Sequence, residues 1–170
     1  MLGIADILRD LGENAVTQIR SNMAAAGQNA TGKTSASLNV SATEQRLTIT
    51  GRQAYWTLER GRGPGRTPKN FRQIIAAWIV AKGLPLQLKP IKRETGRDAY
   101  TRALLAAAGA IAWNIHKHGT KLYRDGGRND IYTPALEELE NKIVARLVPA
   151  FDAEITENIG QYERKHNQNI

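Results

Sequence analysis

The chain has no cysteine. Structural disulfides, thiolate metal sites and cysteine nucleophiles are therefore excluded. It also lacks the roughly 18 consecutive apolar residues that a membrane-crossing helix needs, so no membrane partner is expected. Residues 1–6 show no basic region leading into an apolar run, so no secretory signal is expected and the chain is read as folding, or assembling, in a reducing cytoplasm. Histidine is scarce, with three in the chain. His116 and His118 stand two apart, which on a helix turns them about 200° from each other. They cannot share one ion from a continuous helix, and His166 lies in the tail, so no metal site is expected. No Ser-His-Asp order and no carboxylate pair with an evident cleft can be found. The reading is a non-enzyme without a cofactor.

A hydrophobic fraction of 41% over 170 residues is enough for one domain with a real core, alone or with an extension. Acidic residues are also scarce where bases are dense. The net charge of +8 divides into zero over residues 1–59, +12 over 60–128 and −4 over 129–170. A basic middle and an acidic end suit contact with something anionic, either nucleic acid or the acidic part of another copy. A plain solvated basic face is the competing reading.

Apolar spacing through Ile4, Leu8, Leu11, Ala15, Ile19 and Met23 predicts a helix over 4–25, stopped near Gly27. Leu38 and Val40, then Leu47 and Ile49, alternate with polar residues and predict two strands joined by a loop at 41–45. Residues 54–58 read as a third strand, with a helical turn over 53–60 as the rival. Three Gly and two Pro make 61–68 a loop, exposed, flexible and cationic, with Thr67 and Pro68 opening a helix over 68–82. Residues 84–97 read as extended and basic. The strongest helical pattern covers 98–118 and another begins at Thr133-Pro134, with Pro149 expected to kink or break it before a weaker helix through Phe151, Ile155 and Ile159. Leu104, Ile111, Ile115, Leu139 and Ile143 are expected in the core, as are Trp56, Trp78 and Trp113. The fold class is α+β: a small antiparallel sheet within 36–60 packed against several helices, with domain limits at 1–147 and a C-terminal helical extension or tail at 148–170.

Residues 27–34 formally match Gly-x-x-x-x-Gly-Lys-Thr. A phosphate-binding loop of that type follows a buried strand and opens a helix. Here a helix precedes it and strand residues follow, so nucleotide hydrolysis is not expected.

One further likeness rests on the order of motifs. Thr31-Gly32 with Ser37-Leu38 precedes the hairpin, and Tyr55, Glu59, Gly61, Gly63 and Pro64 follow it. Later come Ile115-His116-Lys117-His118-Gly119-Thr120 and Ile131-Tyr132-Thr133-Pro134-Ala135-Leu136. Over roughly residues 5–147 this resembles the tail-completion, or head–tail joining, proteins of long-tailed bacteriophages, often described as minor tail proteins. Trp56 stands where that family has a small residue, the Pro-Phe pair before Thr133 is missing, and 84–97 and 148–170 diverge.

The resemblance implies a virion structural protein assembled in the host cytoplasm. It implies a homo-oligomeric ring, commonly of six copies, at the neck or the top of the tail, contacting connector and tail proteins and surrounding passing genomic DNA. The candidate contacts to another subunit or to DNA are Arg60, Arg62, Arg66, Lys69, Lys92, Arg93, Arg124 and Arg128. The alternative is a free nucleic-acid-binding protein using residues 60–128, although no helix-turn-helix, zinc knuckle or RNP-like strand is evident.

Overall fold

The computed structural model describes residues 3–88 and 98–167. The fold is α+β, mainly helical, with one two-stranded antiparallel sheet. Helix α1 (Ile4–Ala25) buries Leu8, Leu11, Ala15, Val16, Ile19 and Met23, the stripe its spacing predicts. It ends as Gln28 N–H reaches back to the Met23 carbonyl at 2.8 Å. A single turn, α2 (Lys33–Ala36), leads into strands β1 (Asn39–Thr43) and β2 (Arg46–Thr50). The connection is shorter than expected, because Thr43 pairs with Arg46 and leaves a two-residue turn. Val40 opposite Ile49 and Ala42 opposite Leu47 set the register. That pairing turns the apolar alternation of both strands toward α1.

The sheet lies so close to α1 that a side chain at position 12 would have to displace its neighbours on the hairpin. A Cβ there would sit 2.7 Å from Leu47 Cδ1 and from Val40 Cγ1. Helix α7 (Thr133–Asn167) covers the rest of α1, with Leu139 against Leu11 and Ala135 beside Ile19 and Met23.

The third strand does not form. Residues 53–60 are a 3-10 turn (Gln53–Trp56) continuing into α3 (Thr57–Arg60), the rival reading. The turn places Leu58 and Glu59 side by side in the interior, which alternation along a strand cannot do. Pro68 opens a turn rather than a helix: Phe71 N–H bonds its carbonyl, and α4 runs Phe71–Ala81. Helix α5 (Ala99–His118) is capped by Asp98, whose carboxylate accepts from Thr101 N at 2.8 Å and from Thr101 Oγ1 at 2.7 Å. A one-turn α6 (Lys121–Arg124) occupies the loop before α7.

Helices α4 and α5 pack on each other around Ile75, Ala76, Ile79 and Ala108, a cluster separate from the one under the sheet. This changes the expected core. Leu139 is buried, whereas Leu104, Ile111 and Ile115 are half-buried, because α5 is covered by a single partner helix, and Ile143 is half-buried at the edge of the α1–α7 contact. The tryptophans are not core residues: Trp56 is 57% exposed, Trp113 59% and Trp78 37%. Nor does Pro149 end α7, which continues through it to Asn167. Among the described residues no helix is long and apolar enough to cross a membrane.

Candidate functional site

Glu59 is 2% exposed, the one charged residue among the described side chains that is buried. Its carboxylate closes the start of α7. Oε1 accepts the backbone N–H of Ile131 and Tyr132 at 2.7 Å and of Thr133 at 3.0 Å, and Oε2 accepts the Thr133 hydroxyl at 2.5 Å. A helix start presents unpaired N–H groups and partial positive charge, so a carboxylate is the natural group to bury there. The Glu59 carbonyl accepts Arg128 N–H at 2.9 Å, joining the same turn to the 119–128 segment.

The Gly-Pro loop leaves this anchor and is clasped along its length. Arg62 N–H donates to Thr120 Oγ1 at 2.9 Å, and Thr120 N–H donates to the Arg62 carbonyl at 2.8 Å. Gly65 N–H donates to the His116 carbonyl, and His116 Nδ1 lies 2.7 Å from the Gly65 carbonyl oxygen. Gly61 must be glycine: its φ is +70°, and a Cβ would press into the Tyr123 backbone. The loop is cationic as expected, but it is tied down by backbone pairing rather than flexible.

Above the anchor, Tyr55 stacks on Tyr132 with ring centroids 4.9 Å apart. Burial first, then the nearby Tyr132 and Glu59, pushes the Tyr55 hydroxyl well above its ordinary range, so it stays protonated. Outside, three cations lie over aromatic rings: Arg60 over Trp56 at 5.8 Å, Arg62 over Phe71 at 5.3 Å and Lys117 over Trp113 at 5.0 Å.

The structure brings five of the eight candidate cations to this clasp, with different roles. Arg60 and Arg66 are exposed. Arg62 is half-buried and donates to the Arg66 carbonyl at 2.6 Å, so it holds the loop's shape. Arg124 donates to the Gly119 carbonyl at 2.8 Å. Arg128 pairs with Asp130, and their hydrogen bond lowers the Asp130 carboxyl and raises the Arg128 guanidinium relative to their ordinary values. Lys69 is exposed in the turn before α4. Lys92 and Arg93 lie outside the described residues.

Sequence reasoning gave Glu59 no role beyond its place in a motif. An acid in a short turn reads as solvent-facing until the segment that supplies its donors, 72 to 74 residues away, is folded against it. The Gly-Lys-Thr segment leads into the single turn α2 directly after Gly32, before the expected strand. Among the described residues no three His, Asp or Glu side chains group as a metal site. No family model, curated protein or solved structure matches the chain.

Proposed function

We propose that this chain is a virion structural protein. It forms a ring at the head–tail junction or the top of the tail, joins the connector to the tail and surrounds the DNA channel. The observation that carries this reading is the convergence at Glu59. Three of the four segments that carry the resemblance to tail-completion proteins, 55–64, 115–120 and 131–136, meet in the clasp although they are distant in sequence. The clasp presents Arg60 at the end of α3 and Arg66 on the tethered loop, which suits contact with an acidic neighbour or with passing DNA.

A second reading has its own support. Trp56 beside Arg60 and Trp113 beside Lys117 are exposed ring-and-cation pairs of the kind that stack single-stranded bases. Electron microscopy of the purified chain, with duplex and single-strand titrations at two salt concentrations, separates the two. The ring reading expects closed oligomers and sequence-independent affinity no tighter than about 10⁻⁴–10⁻⁶ M, falling steeply with salt. A monomer with a strong sequence preference that survives high salt would overturn it in favour of a nucleic-acid-binding protein.

A further inference from the structure

Two apolar faces are left uncovered among the described residues. The first is on α4, where Ile74 to Ala81 is an unbroken apolar run of eight residues. Helix α5 covers Ile75, Ala76 and Ile79. Ile74, Ala77, Trp78 and Ala81, spaced i, i+3, i+4 and i+7, form a second stripe that is exposed throughout. A helix apolar on all sides is one that is buried on all sides. The partner that α5 supplies for one face therefore implies another for the opposite face.

The second face is on the distal half of α7. Beyond Ile143 no described residue is buried. Yet Val144, Val148, Phe151, Ile155 and Ile159 follow one another at steps of four, three, four and four, and all are exposed. That stripe is about 22 Å long at 1.5 Å per residue, against about 16 Å for α4. Pro149 lies within it. An interior proline forfeits a helical hydrogen bond, and most helical stability in proteins comes from packing an apolar face. An arm of this composition is a helix that acquires its packing from outside its own fold.

Charge indicates which surface meets which. Residues 144–162 carry three acids, Asp152, Glu154 and Glu157, and a single base, Arg146, which pairs with Asp10 of α1 in the same chain. Residues 66–82, with α4 at their centre, carry no acid. Of their four cations, Arg72 turns to the Leu105 carbonyl of α5 and Lys82 to the Gly27 carbonyl, which leaves Arg66 and Lys69 exposed just before α4. Two α7 arms side by side would bring like charges together, as would two α4 faces. An arm on an α4 face brings opposite charges together around an apolar seam, the arrangement of a specific interface.

We infer that the distal half of α7 of one copy docks on the outer face of α4 of the next copy. This deepens the ring proposal and rests on it. The contact is head-to-tail, since the arm and its seat are different surfaces, and repeated around a closing rotation it makes a ring.

The absence of cysteine makes a clean test. Full-length Ala77→Cys and Ile155→Cys chains, mixed and mildly oxidised, are expected to give a disulfide-linked dimer that neither variant gives alone. A dominant Ile155→Cys self-link overturns the inference in favour of paired arms. No link, with the wild-type chain still oligomeric in sedimentation, overturns this docking site and leaves the ring reading standing. No link with a wild-type chain that is monomeric at every concentration sinks both. As a second measure, the Phe151→Ser/Ile155→Ser chain should keep its thermal transition while self-association weakens by about tenfold to a hundredfold. Unchanged association would equally count against the docking site.

Discussion

At the scale of single residues, Glu59 shows how much one buried carboxylate can organise. It accepts three backbone N–H groups and a hydroxyl, and each would be left without a partner if it were removed. Glu59→Ala is expected to cost about 3–5 kcal/mol, since orphaned donors and a cavity add to the lost bonds. Glu59→Gln should cost less, about 1–3 kcal/mol, because an amide oxygen can still accept the backbone donors while the NH₂ faces Thr133 Oγ1. Urea unfolding of both variants checks the order; equal costs would assign the effect to packing instead. Asp98 gives a pH test. The backbone and side-chain hydrogen bonds from Thr101 hold its carboxyl below the ordinary value of 3.8. A lowered folded value means the ionised cap stabilises fully above the unfolded value and that this contribution is lost as pH falls through the folded one. Wild type should therefore lose its advantage over Asp98→Ala below about pH 4. An advantage that persists unchanged in stronger acid would show that charge is not what caps α5.

At the scale of elements, the two clusters differ in how completely they are covered. Ile19 is fully buried between α1, α7 and the hairpin, so Ile19→Ala should cost about 2–5 kcal/mol. Ile111, half-buried on α5, should cost the free chain only about 1–2 kcal/mol on truncation to Ala. Chemical denaturation of the two variants measures the gap. A larger loss at Ile111 would mean that α5 has cover beyond α4. Much of this level was legible from the amino acids alone. The limits of α1 and α5 follow from long periodic stripes with clear stops, and β2 from strict alternation. The turn at 53–60 was ambiguous because four to eight residues satisfy either period, and the buried acid that decides it finds its donors in distant chain. Pro149 reads as a kink or a break because local geometry disfavours it, and α7 continues on both sides without a break.

At the scale of the whole molecule, charge and exposed apolar area both point outward. Arg60, at the end of α3, and Arg66, on the loop that follows, are exposed where other residues hold the backbone in shape. Reversing both to Glu should leave the thermal transition nearly unchanged, because exposed charges contribute little to folding. In the proposed ring the same change should slow or block assembly, read by light scattering at low salt. Arg62 is not interchangeable with them: its donation to the Arg66 carbonyl makes it part of the loop's frame. Arg62→Glu should perturb the monomer itself. Wild-type assembly by the Arg60→Glu/Arg66→Glu chain would show that the clasp faces solvent in the oligomer.

Local pattern along the chain set the fold class, the limits of α1 and α5, the start of α7, the hairpin, and the separation of a basic middle from an acidic end. These depend on local periodicity and composition, which any chain carries before it folds. Only the tertiary structure decided that Glu59 is interior, that the Gly-Pro loop is clasped by Thr120 and His116, and that Trp56, Trp78 and Trp113 face outward. An apolar stripe records that a residue needs cover, but not which surface supplies it. For α1 the cover comes from the hairpin and α7 of the same chain, whereas the distal half of α7 finds none among the described residues. That difference is set by where the chain folds back on itself, through contacts between residues far apart in sequence, and no local pattern encodes it.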